Sequence, residues 1–187
     1  MSVPIHLLPL SGVFSLAAAL LYTATLARTT STLDGPAKTT ADCAPIAYVA
    51  VASMLLYYIF LFYQSATAFM EFSKAQRSYG EKKSDGQEKP NLSKIKYGSD
   101  NYNVHVMNRT VANYSEQIVP FLVSLFLCAT FASVGKASKY GWMWVFFRSY
   151  YPVVFQKPFP SLFLSTMPAY VCVWKMLAEV VLAVARM

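Results

Sequence analysis

Residues 107–131 read MNRTVANYSEQIVPFLVSLFLCATF. From Ile118 the run has membrane-helix quality, yet Asn108, Arg109, Asn113 and Glu116 crowd its leading turns. A charge at the centre of a spanning helix costs roughly 2.5–3.5 kcal/mol on insertion scales unless it is paired or wetted, so an intramembrane Arg and Glu mark a functional site by default. At 100° per residue, Arg109, Asn113 and Glu116 fall at about 0°, 40° and −20°, a stripe climbing roughly 10 Å along one face. His105 and Tyr102 extend it backward if the helix starts that early. Val111, Ile118 and Leu122 occupy the other face. Pro120 lies near the azimuth of Arg109 and leaves the Glu116 carbonyl without its helical donor, which predicts a kink where the stripe ends.

Composition fixes the solvent. The chain is 56% hydrophobic and only 13% charged over 187 residues, whereas soluble domains are about a quarter charged. Hydropathy marks five spans: Ile5–Ala27, Ala44–Phe69, Ile118–Val134 with a polar extension back to Tyr102, Trp142–Phe155, and Leu162–Ala185. Most approach the roughly 20 residues a helix needs to cross the hydrocarbon. Trp142–Phe155 is short and contains Arg148, so a four-span count stays open. Long continuous runs exclude a β-barrel, whose strands alternate. The expected fold class is an all-α membrane protein. Residues 1–43 form an N-terminal transmembrane helix and connector, and residues 44–187 a four-helix domain with a polar loop at 73–101.

Ile5–Ala27 lacks the positive leader of a signal peptide and reads as a retained span. Basic residues place the 73–101 loop on the cytosolic, matrix or stromal side, in endoplasmic reticulum or an organellar membrane: Lys74, Arg77, Lys82, Lys83, Lys89, Lys94, Lys96 and Lys157 outnumber Arg28, Lys38, Lys136, Lys139 and Arg186 on the other side. The net charge of +7 is thus mostly topogenic, and no nucleic-acid signature accompanies it. Cys43, Cys128 and Cys172 are scattered and read as inert thiols. With His6 and His105 the only histidines, no metal site of ordinary ligand count is expected. His105 reads as an interfacial side chain, with a pigment or haem ligand as the alternative. Asn91, Asn108 and Asn113 open N-x-[ST] triplets that this orientation leaves idle.

A second stripe follows. Trp144, Arg148, Tyr151 and Phe155 are spaced by four, three and four, so an arginine, a phenol and two aromatic faces look the same way. Read alone, this segment fits interfacial anchoring as well as ligand binding. Arginine with Asn, Glu and Tyr suits a small zwitterionic or anionic ligand, because guanidinium grips carboxylates bidentately and Glu accepts from an ammonium. Lys175 and Glu179 stand at i, i+4 and read as a structural pair, closed on itself or bridging helices.

The spacing R-x-x-x-N-x-x-E at Arg109, Asn113 and Glu116, followed by Pro120-Phe121-Leu122, resembles the second-helix signature of the MAPEG family, the membrane-associated proteins in eicosanoid and glutathione metabolism. Phe147-Arg148-Ser-Tyr-Tyr151-Pro152 resembles the arginine and tyrosine pattern of that family's third helix. The resemblance covers about residues 44–185, with the N-terminal span an addition. It implies a four-helix protomer that trimerises and holds glutathione as co-substrate between subunits. Arg109, Asn113, Glu116 and Tyr151 would contact the tripeptide, with Arg148 contributing from the next helix. The family's activating arginine beyond the third-helix tyrosines has no counterpart in Val153–Phe163, where Lys157 is the only cation. Phe155 stands where a second aromatic hydroxyl is expected. Arg148 and Lys157 are therefore the candidate catalytic cations. Two functions follow: a glutathione-dependent transferase or peroxidase acting on lipophilic electrophiles from the bilayer, or a non-catalytic accessory subunit among other subunits of a respiratory or photosynthetic membrane complex.

Overall fold

A computed structural model describes residues 35–81, 89–98 and 100–187. The expected first span, Ile5–Ala27, lies outside them. Regular structure among the described residues is helical: α1 (Ala44–Glu81), α2 (Leu92–Tyr97), α3 (Tyr102–Phe131), α4 (Val134–Ser149), α5 (Tyr151–Phe155) and α6 (Phe163–Val184). The helices containing α1, α3 and α6 are each long and apolar enough to cross a membrane. The protein is an all-helical membrane protein.

Asp42 Oδ2 accepts from the amides of Lys38 (3.0 Å) and Thr39 (2.8 Å) just ahead of α1. Expected to end near Phe69, α1 runs to Glu81 over 38 residues. Nothing between Pro45 and Gly80 breaks it, and the polar stretch after Met70 holds good helix formers, Lys74, Ala75, Gln76 and Arg77. The connector therefore begins later than hydropathy implies. It also holds α2, whose cap is Asn91, with Oδ1 accepting from Ser93 N at 2.9 Å and Lys94 N at 3.4 Å.

The chain divides into two compact units: residues up to Leu56 with Ser115–Met187, and Tyr57–Tyr114. In the first, Ile46, Val49, Ser53 and Leu56 form the buried stripe of α1, spaced as one helix face requires. Tyr48 and Leu55 point outward and are large and apolar, as a lipid-facing surface should be. Gly141 of α4 lets backbones approach: a Cβ there would stand 2.6 Å from Val49 Cγ1 and 2.9 Å from Leu125 Cδ1. On α6, small Ser165, Ala169 and Cys172 face inward while Leu164, Trp174 and Val181 face out. Ser165 Oγ donates to the Phe147 carbonyl at 2.6 Å.

The expected fourth span, Trp142–Phe155, is not among the helices long and apolar enough to cross a membrane. Rather than Trp142–Phe155, α4 starts at Val134, where Ser133 Oγ caps Lys136 N (3.2 Å), and covers 16 residues. The helix then breaks at Tyr150 and resumes as α5, whose first turn holds Pro152, a residue that favours a helix start over a helix interior. The Lys175–Glu179 reading also resolves: Glu179 takes Lys136 of α4 as its partner at 2.8 Å and bridges helices, leaving Lys175 exposed.

In the Tyr57–Tyr114 unit, Tyr114 is 1% exposed. Its ring stacks on Tyr57 at 5.7 Å and meets the edge of Phe60 at 5.5 Å. Polar contacts knit the rest: Gln64 Nε2 donates to Asn108 Oδ1 (2.9 Å), Asn108 Nδ2 to the Lys96 carbonyl (2.8 Å), and Asn101 Nδ2 to Glu71 Oε2 (2.9 Å).

Candidate functional site

The stripe begins with a well-made helix start. Asn101 Oδ1 accepts from Asn103 N at 3.0 Å and Val104 N at 3.2 Å, so α3 starts at Tyr102, and Tyr102 and His105 join the stripe as anticipated. The azimuth is set by what α3 buries: Val104, Met107, Val111 and Tyr114 are all in the core. Arg109 and Glu116 emerge exposed, with Asn113 half-buried between them. Of the expected apolar face, Val111 is buried and Ile118 and Leu122 are half-buried. Pro120 sits inside α3, which continues past it to Phe131.

Arg109 and Glu116 do not neutralise each other. Lys74 pairs with Glu71 and Lys136 with Glu179, and neither the Arg109 nor the Glu116 side chain is in polar contact with a described residue. Two opposite charges about two turns apart on one spanning helix are thus directed outward.

The second stripe is brought together, but inside the bundle. Arg148, in the last turn of α4, is 1% exposed. Its guanidinium carbon lies 5.5 Å from the Trp144 ring and 5.9 Å from that of Tyr151. Tyr151 in turn stacks on Phe155 at 5.9 Å. Sequence reasoning missed a third wall: Tyr170 of α6, whose ring is 5.8 Å from Arg148 and whose hydroxyl accepts from Gln117 Nε2 at 3.1 Å. It missed Phe121 also, stacked on Trp144 at 3.8 Å. The available signals were a lone tyrosine in the last apolar span and a glutamine beside Glu116. An aromatic cage accepts a guanidinium because that ion is planar and weakly hydrated. Lys157 is exposed on the turn after α5, its side chain in polar contact with no described residue.

A family model for the MAPEG family matches residues 46–182. The chain belongs to the MAPEG family. No curated protein matches it.

The matched residues hold α1, α3, α4 with α5, and most of α6, and both stripes read from sequence lie on these helices. Chemically, the α3 stripe offers a forked cation, an amide and a carboxylate in sequence along about 10 Å. That order fits an extended zwitterion carrying carboxylates and an ammonium. The α4–α5 group offers a phenol held against a buried cation. Val153–Phe163 supplies one cation, Lys157, and no arginine.

Proposed function

We propose that this MAPEG protein binds glutathione on Arg109, Asn113 and Glu116, with Tyr151, only 3% exposed, supporting the site from within rather than by contact, and uses it as a transferase or peroxidase on lipophilic electrophiles that arrive through the bilayer. The observation that carries the reading is the outward, unneutralised pair Arg109 and Glu116 on a spanning helix. Such charges demand a polar occupant. The tripeptide's carboxylates match the arginine and its ammonium matches the glutamate.

The chemistry is thiol activation. A cysteine thiol has a reference pKa near ~8.5, and a nearby cation favours the thiolate that attacks an electrophilic carbon or a peroxide oxygen. Lys157 is the exposed cation available for direct contact with sulfur. Arg148, caged at 1% exposure, orients Tyr151 and adds positive potential from within. A second reading, a non-catalytic accessory subunit of a membrane complex, draws support from Phe155 and from the absence of arginine in Val153–Phe163.

The test is glutathione retention by the full chain purified in mild detergent. Arg109→Ala and Glu116→Ala should each abolish retention with thermal unfolding unchanged, since both side chains are exposed and support no described contact. Retention equal to wild type in both variants rejects the site.

A further inference from the structure

The Tyr57–Tyr114 unit contains a cavity of about 470 Å³ that the glutathione reading does not use. Its polar walls come from Glu71, Lys74 and Ser78 of α1, Lys94 of α2, and Asp100 and Asn101 ahead of α3. This volume is within the range of small-ligand sites. Among the described residues the walls carry two acids and two lysines, of which Glu71 and Lys74 are already paired. Glu71 is already satisfied, by Lys74 Nζ at 2.7 Å and Asn101 Nδ2 at 2.9 Å. Asp100 is exposed and makes no polar contact with a described residue. Lys74 has spent one of its three donors on Glu71, and its side chain is 69% exposed. The Asp100 carboxylate thus remains for a cation, and Lys74 keeps donors for an anion.

Depth narrows the ligand. Glu71 follows Phe69, the end of the apolar run of α1, by about 3 Å along the helix axis, which places the cavity at headgroup level rather than in hydrocarbon or bulk water. Beside it, α2 exposes Leu92 (39%) and Tyr97 (73%) next to Lys94 and Lys96, with Lys96 Nζ 5.5 Å from the Tyr97 ring. Tyrosine and lysine with an apolar neighbour are the furnishings of a membrane interface.

We propose that this cavity seats a zwitterionic aminophosphate group, as in an ethanolamine-type phospholipid headgroup, with the ammonium on Asp100 and the phosphate on Lys74 and Lys94. A purely anionic headgroup would leave Asp100 facing negative charge.

The experiment titrates the full chain, in non-ionic detergent, with dihexanoyl phosphatidylethanolamine, dihexanoyl phosphatidylglycerol and free phosphoethanolamine, followed by calorimetry. The ethanolamine lipid should bind, and Asp100→Asn and Lys94→Gln should each weaken it about tenfold, as loss of one charge-assisted hydrogen bond implies. The glycerol lipid should bind more weakly, and Asp100→Asn should strengthen rather than weaken it, because the substitution removes a like charge. Free phosphoethanolamine binding as tightly as the lipid supports the aminophosphate assignment and makes the source soluble; weaker binding supports it with the lipid as source. Undiminished binding in both variants, glycerol lipid bound as tightly as ethanolamine lipid, or no ethanolamine lipid binding overturns the proposal. None of these outcomes depends on glutathione, so the α3 stripe is judged separately.

Discussion

In the proposed mechanism, Arg148 and Lys157 would divide between them what a single arginine does where a guanidinium meets sulfur directly. Arg148 has the right chemistry, planar and permanently charged, but is enclosed by Trp144, Tyr151 and Tyr170. Lys157 has access without the fork. If Lys157 is the cation at sulfur, its removal should raise the thiol pKa of bound glutathione. Thiolate is the minor form at pH 7, so a rise of about one unit removes about nine-tenths of it. Lys157→Ala should then retain glutathione, lose about tenfold in turnover at pH 7, and recover as pH rises, its pH–rate profile displaced upward by about one unit. Stopped assays from pH 6 to 9 read this directly. An unshifted profile removes Lys157 from the mechanism. The α3 stripe was legible at this scale because a 3.6-residue period fixes azimuth from spacing alone. The burial of Arg148 was not, since whether a cation meets lipid, water or aromatic rings depends on Tyr170, distant in sequence.

At the scale of elements, hydropathy located helices but misjudged their ends, for one physical reason. An apolar window reports where hydrocarbon is, while a helix stops only where its backbone is broken or capped. So α1 outlasts its apolar run, and α4 starts at the Ser133 cap instead of at Trp142. The interruption at Tyr150 had a visible cause in Pro152. Close packing was less visible, because Gly141 in sequence is only a weak helix residue, whereas in the fold it is where α4 meets Val49 and Leu125. Leu125 can turn its methyl aside, but β-branched Val49 cannot easily do so. Gly141→Ala should therefore overpack the site and lower stability by about 1–3 kcal/mol, read as a fall in the thermal unfolding midpoint in detergent. Val49→Ala in the same chain should restore much of that loss. A double variant no more stable than Gly141→Ala would mean that Val49 is not the obstacle.

At the scale of the whole molecule, the question is what covers the α3 stripe. Apolar exposed residues such as Phe62, Leu164 and Trp174 need only acyl chains. Arg109 and Glu116 are in a different position, since acyl chains would leave both charges unsolvated. Glutathione, as proposed above, would satisfy them in part, but a single exposed helix face does not exclude lipid from a bound tripeptide. A neighbouring protomer does, and a closed ring of identical copies gives every stripe the same neighbour with none left open. The homotrimer that the family resemblance implies is such a ring, and we propose it as the assembly. Native mass measurement of the full chain in mild detergent should give three times 20.9 kDa. A cysteine placed at exposed Val119, one turn from Glu116 on the same helix, should be shielded from aqueous thiol reagents in that trimer, more so with glutathione present. A chain that runs as a single copy with unrelated proteins, the engineered thiol shielded only in their company, would instead make the accessory-subunit reading the correct one.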